Sequence, residues 1–262
     1  MSEIRQRHLS FAPWVDPRTR RLPGVIPVAP EDWLVVDDAY AAQMALRERL
    51  IETRPEAVHA LHPEARQAAA ELLDMILPLL PARGHRIDGA QVTRPDGGTV
   101  AIDRTAPLTT LGRLCAEDFC LMQPGGQGEH VLTGAILCFP AGWTLAEKLG
   151  QPMGRIHVPV AKYTPEIATR VQRLLDGVRP GIGLMRGTAH HSNAPLHNPR
   201  TEAQGRAPEG ALPFIRVERQ CLFRLPQTGA VVFSIHTSVI DPADLTADQA
   251  ATLAEFPIRE AA

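Results

Sequence analysis

Two apolar runs near the end of the chain, Val217–Leu225 (VERQCLFRL) and Ala230–Val239 (AVVFSIHTSV), are separated by Pro-Gln-Thr-Gly. Successive side chains of a strand point to opposite faces, so each run can be sorted by parity. Val217, Arg219, Cys221, Phe223 and Leu225 form one set in the first run; Val231, Phe233, Ile235, Thr237 and Val239 form its counterpart in the second. Pairing odd with odd gathers both apolar sets on one side. A three-residue loop Gln227-Thr228-Gly229 gives this register, with Gly229 as the left-handed residue of a bulge. It predicts Phe223 opposite Phe233, Cys221 opposite Ile235 and Arg219 opposite Thr237. The reverse face then collects Glu218, Gln220 and Arg224 near His236 and Ser238.

Upstream the period becomes helical. Tyr40, Met44, Leu46 and Leu50 predict a helix from Asp38 through Glu52. A second runs from about Pro63 to Leu77, with Pro63 suited to a first turn and Pro78 ending it. HRIDGAQVTRPDGGTVAID holds two short strands joined by Pro95-Asp96-Gly97-Gly98, and LGRLCAEDFCLM keeps helical spacing at Leu111, Leu114, Cys115, Phe119 and Met122. After the turn PGGQG, the apolar run HVLTGAILCFP predicts a strand buried on both faces. A short helix from Trp143 to Leu149 stops at Gly150 and leads by a turn to His157. Thr164 as cap, Pro165 and Glu166 open a further helix in TPEIATRVQRLLDGV. GIGLMRGTAHH is another strand, and a polar loop from about Ser192 to Gly210 precedes the closing hairpin. The first thirty residues are Pro-rich and aperiodic, as in an arm lying over the body. The class is α+β, without internal repeats: a helical N-terminal region, two strands, helices, then three or four mostly antiparallel strands.

Composition narrows the function classes. With 262 residues, 44% hydrophobic and 21% charged, the chain can build an ordinary core in one large or two small domains. A net charge of −2 with ten His gives no electrostatic case for nucleic acid or an anionic membrane. No apolar run reaches the roughly 18 residues of a spanning helix, and the start has no uninterrupted signal-like apolar stretch. Cys115, Cys120, Cys138 and Cys221 lie in apolar contexts without a CxxC pair, so buried thiols in a reducing cytoplasm are expected.

Three places offer chemistry. Arg219 is a cation among apolar neighbours, where it requires either a carboxylate from the helices or a ligand. Glu218, Gln220 and His236 make a polar group that is either solvated, covered by a helix, or functional. His190-His191 with His197 is the densest imidazole cluster, but adjacent strand residues face opposite ways, which favours a surface role. HExxH, GxSxG, GxxxxGK and GxGxxG are all absent. His157, between Ile156 and Val158-Pro159-Val160, is either a hydrogen-bonded core residue or an imidazole set in an apolar wall, the way a proximal haem ligand is presented.

The motifs CAEDFCLM, LCFPAGWTLAEKLGQPMGRIHVPV and RVERQCLFRLPQTGAVVFSIHTS resemble the α subunit of haem-dependent oxidative N-demethylases, over about Pro23 to Val239. The resemblance implies a PAS-like five-stranded antiparallel sheet with helices inserted between its second and third strands, enclosing haem b. It divides the chain into an N-terminal arm and helices (1–82), a haem-binding domain (83–245) and a C-terminal tail (246–262). It implies oxidation of dimethylamine with O₂ to methylamine and formaldehyde. Electrons would come from NADPH through FMN and [2Fe–2S] centres on partner subunits, with tetrahydrofolate taking the formaldehyde. His157 matches the His of an IHxPV motif and is the implied proximal ligand; Arg186 matches the Arg of a WRxNW-like segment; Glu218 and Arg219 match an ERQ motif. Arg186, Glu218, Arg219 and His236 are the candidate polar groups of the oxygen and amine site. The chain departs from the pattern at Thr188-Ala189, where Asn-Trp is usual, and at Ile235–Ser238, where Ile-Arg-Thr-Tyr is common. A non-catalytic haem sensor and a haem-free small-molecule binder are the competing classes.

Overall fold

A computed structural model describes residues 4–20, 24–126, 128–158, 163–205 and 210–258; Pro159 and Val160 of the IHVPV motif lie outside them. Ten strands occur in the described residues: β1 Ile26–Val28, β2 His59–Leu61, β3 Arg86–Asp88, β4 Gln91–Thr93, β5 Thr99–Ala101, β6 Asp118–Pro124, β7 His130–Ile136, β8 Gly183–Ser192, β9 Phe214–Arg224 and β10 Val231–Ile240. The longer helices are α1 Tyr40–Thr53, α2 Arg66–Ile76, α3 Pro107–Leu114, α4 Pro165–Gly177 and α5 Ala247–Glu255. Seven strands form one antiparallel sheet in the order β1-β8-β9-β10-β6-β7-β2, and β3-β4-β5 form a separate small meander. The fold is α+β, as the pattern predicts. None of the helices among the described residues is long and apolar enough to cross a membrane.

Two expectations shift here. The strands around Pro95–Gly98 do not join the main sheet; they are β4 and β5 of the meander, and the five long strands all follow residue 117. LGRLCAEDFCLM is not one helix: α3 ends at Leu114, Cys115 is extended, and Phe119 and Met122 belong to β6. Residues 118–122 are buried on both sides, and a continuous apolar run satisfies either period, so spacing alone cannot tell strand from helix there.

The closing hairpin is displaced by one residue from the parity expectation. Phe233 faces Leu222, Ile235 faces Gln220, His236 faces Arg219 and Thr237 faces Glu218. The loop has four residues, Pro226–Gly229, closed by Leu225 N–H donating to the Ala230 carbonyl at 2.9 Å, with Gly229 at φ 72°. Pro226 has no N–H to give to a ladder pair with Ala230, which is what the three-residue loop would require. Glu71 of α2 then fixes the longer loop, accepting from Gln227 N (2.6 Å), Thr228 N (2.8 Å) and Thr228 Oγ1 (2.6 Å).

The sheet thus has two distinct faces. On the helix face Met185, Cys221, Ser234, Phe119 and Ile136 lie abreast, and α1, α2 and α3 pack over this side. Trp33 anchors that packing: it stacks on Phe223 (centroids 4.0 Å), meets Phe119 edge-on (6.0 Å) and donates Nε1–H to Ser234 Oγ at 2.7 Å. On the other face Leu184, Leu222, Phe233, Cys120 and Ala135 lie abreast and meet a second apolar cluster from α4 and the 143–156 segment. The first residues pack across the sheet's far end: Phe11 and Pro13 occupy the space a side chain at Gly187 would need. Trp14 Nε1–H donates to the Gln249 carbonyl of α5 (3.0 Å), so the two terminal segments hold one another. All four cysteines are free and buried, as expected; burial pushes the Cys221 thiol up to about 11 and that of Cys138 to about 12.

A buried ion pair ties helix to sheet. Arg47 of α1 donates Nη1–H to Asp118 Oδ1 at 2.7 Å, and its other donors reach the carbonyls of Gly112, Ala116 and Glu117. Asp118 also accepts from the N–H groups of Cys138 (2.7 Å) and Phe139 (2.9 Å). Removing the carboxylate strands a fully buried cation and two amides. Asp118→Ala is therefore expected to cost about 3–5 kcal/mol, read from urea denaturation. Arg18→Ala, at an exposed pair with Asp16, is expected to leave the midpoint unmoved.

Candidate functional site

Pleating carries the apolar row Leu184–Leu222–Phe233 into polar rows along the same face. The next is Arg186, Gln220 and Ile235, ending at Asp118, the buried partner of Arg47; then Thr188, Glu218 and Thr237; then His190, Arg216 and Val239. Inner strands are normally covered on both sides, yet Leu184, Arg186, Thr188, His190, Glu218, Gln220 and Phe233 are only half-buried. This face therefore leaves a polar strip partly open beside an apolar floor.

Glu218 is the centre of the strip. Its carboxylate accepts from Gln220 Nε2 at 3.1 Å and Arg216 Nε at 3.4 Å. Arg216 is itself locked, donating to the carbonyls of Phe139 (2.6 Å) and Leu196 (3.3 Å). Arg186 lies two strand positions from the Thr188 row, and burial lowers its pKa against the opposing charge of Glu218. Its Nε has no hydrogen-bond partner, and neither does the buried Thr237 Oγ1. Burial also holds the His190 imidazole below its ordinary value, with Glu218 opposing. His190 is half-buried and belongs to the strip by strand parity.

His157 approaches the same side from the segment between β7 and α4. A one-turn helix, Met153–Ile156, packs its apolar residues with Leu184, Leu222 and Phe233, and His157 follows it. His157 Nδ1 lies 3.0 Å from the Met153 carbonyl. A carbonyl only accepts, so Nδ1 carries the proton and Nε2 presents a lone pair. Tyr163 stacks on the ring (centroids 4.3 Å, 15° between planes), and its buried hydroxyl has no partner. Burial lowers the His157 pKa, and the charges of Lys148 and Arg186 add to that, so the ring is neutral near pH 7. Among the described residues no cluster of three or more His, Cys, Asp or Glu could hold a metal ion. His197 is held in the same way as His157, with Nδ1 2.8 Å from the Cys138 carbonyl and Nε2 without a partner.

Arg219 and His236 lie on the helix face, apart from Arg186 and Glu218. Arg219 donates to the Trp33 (2.7 Å) and Asp32 (2.6 Å) carbonyls, so backbone oxygens take the place of the expected carboxylate or ligand. His236 lies between Asp37 (3.1 Å) and Glu117 (3.4 Å), not beside Glu218 and Gln220, because the register differs by one residue. Gln6 Nε2 also donates to Asp37, at 2.9 Å. Of the named site residues, His157, Arg186 and Glu218 share a face; Gln220, Thr188 and Thr237 join them.

The class defined here is an α+β protein with a half-open, Arg- and Glu-bearing sheet face beside the imidazole of His157. The chain belongs to the haem-dependent oxidative N-demethylase, alpha subunit-like family, whose model matches residues 24–256. No curated protein matches the chain.

His236 generates a pH prediction. Burial opposes its protonation, but the hydrogen bonds to Asp37 and Glu117 outweigh burial and lift it from 6.5 to about 9. A raised folded value stabilises fully below the unfolded value, and that stability is lost as pH rises through the folded one. Folding stability is thus expected to fall between about pH 6.5 and 9 by at most about 3 kcal/mol. His236→Gln is expected to flatten that slope in urea midpoints measured across the range.

Proposed function

We propose that this chain is the haem b-bearing subunit of an oxidative N-demethylase acting on a small secondary amine such as dimethylamine, with O₂ as oxidant and the primary amine and formaldehyde as products. The observation that carries the reading is His157, with Nδ1 tied to a carbonyl and Nε2 free, beside a half-open face bearing Glu218 and Arg186. The residues fit the cofactor: Leu184, Leu222, Phe233, Met153 and Ile156 offer an apolar wall for a macrocycle, and His157 offers an axial nitrogen. Arg186, with Nε unpaired, offers a donor to an anionic substituent or to oxygen.

When bound, haem supplies the one-electron and O₂ chemistry. The protein supplies the rest. Glu218, fixed by Gln220 and Arg216, is placed to bind an alkylammonium by a charge-assisted hydrogen bond and to take its proton. Arg186 donates where negative charge develops. Thr188 and Thr237 flank Glu218 and bound the amine's methyl groups. Arg219 and His236 act at a distance, by holding β9 and β10 on the helix face. In this reading the fold is PAS-like, supported by the five long strands β6–β10 with helices inserted between the second and third. Electrons come from NADPH through FMN and [2Fe–2S] centres on partner subunits, and tetrahydrofolate on a partner receives the formaldehyde.

Protein expressed with a haem precursor is expected to show a Soret band, which His157→Ala abolishes or displaces. Dimethylamine is expected to perturb the wild-type band, and Glu218→Gln to weaken that response at least tenfold in amine concentration. A missing Soret band, or one indifferent to His157→Ala, refutes the reading.

A further inference from the structure

The peptide that accepts from His157 is held at its other end by a carboxylate. Met153 O and Gly154 N belong to one amide: its carbonyl accepts from His157 Nδ1 at 3.0 Å, and its N–H donates to Glu129 Oε2 at 2.6 Å. Glu129 is half-buried, and among the described residues this is its one side-chain hydrogen bond, with no ion pair. Arg155, beside Gly154, donates twice to Glu202 (2.9 and 3.0 Å), and Lys148 Nζ reaches Glu202 at 2.7 Å. The carboxylate is packed directly on the amide. A side chain at Gly154 would lie 3.0 and 3.1 Å from its two oxygens, so glycine is what allows the approach. Tyr163, stacked on His157, also feels the Glu129 charge.

We infer that Glu129 is a positioning residue that raises the donor strength of His157 Nε2 through this amide. The inference rests on His157 being the haem ligand. An anion on an amide N–H pushes electron density onto the carbonyl of the same peptide, and hydrogen bonds in series strengthen one another. A stronger acceptor at Nδ1–H makes the opposite ring nitrogen a better donor and fixes the ring's orientation. A better donor favours the ferric over the ferrous state, so the carboxylate would hold the reduction potential down.

The test uses the haem-loaded chain. Glu129→Gln keeps an acceptor for Gly154 N–H but removes the charge. At a fixed redox poise its ferrous-to-ferric ratio is expected to rise about three- to tenfold, tenfold corresponding to about 59 mV for a one-electron couple. The iron–imidazole stretch of the ferrous protein is expected to move to lower frequency. Gly154→Ala, which crowds the carboxylate off the amide, is expected to move both readouts the same way. If both variants fold and bind haem with wild-type potential and stretch, Glu129 is merely structural and the inference is overturned. Should His157→Ala instead leave the haem spectrum unchanged, the ligand reading fails first, and this inference with it.

Discussion

The one-residue register of β9 against β10 decides where every polar group of this sheet points. Pro226 cannot donate to a ladder, so the turn takes four residues, and the Glu71 carboxylate accepts the two amides that the turn exposes. Because side chains alternate with a period of two, a shift of one residue would invert a whole strand relative to its neighbour. The observed register joins Arg219 to His236 and Glu218 to Thr237. A proline and a helix-borne carboxylate, both outside the strip, thus set its composition.

The two faces meet their charges in different ways. On the helix face the cations have close partners: Arg219 two carbonyls, Arg47 Asp118 and three carbonyls, and His236 the Asp37 carboxylate at 3.1 Å, with Glu117 at 3.4 Å. Cations buried in this way cost desolvation, which these partners offset. On the open face Arg186 Nε, the Tyr163 hydroxyl and the Thr237 hydroxyl are unmatched, as Gln43 Oε1, Glu117 Oε2 and His236 Nδ1 are on the helix side. Unmatched buried polar atoms are costly on either side, and what separates the open face is that its Arg186, Glu218 and Gln220 are only half-buried.

Much of this was legible in the sequence. Caps and prolines marked α4, helical spacing marked α1 and α2, and the family motifs named His157, Arg186, Glu218 and Arg219, of which the structure brings the first three to one side of the sheet. The failures share a cause: apolar runs that satisfy two patterns at once. Residues 118–122 are buried on both sides and so were compatible with helix or strand, and Val231-Val232-Phe233 is apolar at either parity and could not choose a register. Pro226 carried the deciding information and is not a hydrophobicity signal. The amide between Met153 and Gly154 was invisible for another reason, since its partners on Glu129 and His157 are joined by backbone atoms that no side-chain motif records.

The faces also weigh the chain's departures from the family-like pattern. Of the four positions, Ala189 lies on the side covered by the N-terminal residues, and His236 and Ser238 lie on the helix face; only Thr188 faces the strip, abreast of Glu218. Thr237, which keeps the pattern, is the other neighbour of that carboxylate. The changes at 236 and 238 are therefore changes of internal support, balanced by Asp37, Glu117 and Gln6. A threonine in place of a longer amide at 188 enlarges the space beside Glu218 and replaces an amide with a hydroxyl. Position 188 is thus the one departure that changes what lies beside Glu218.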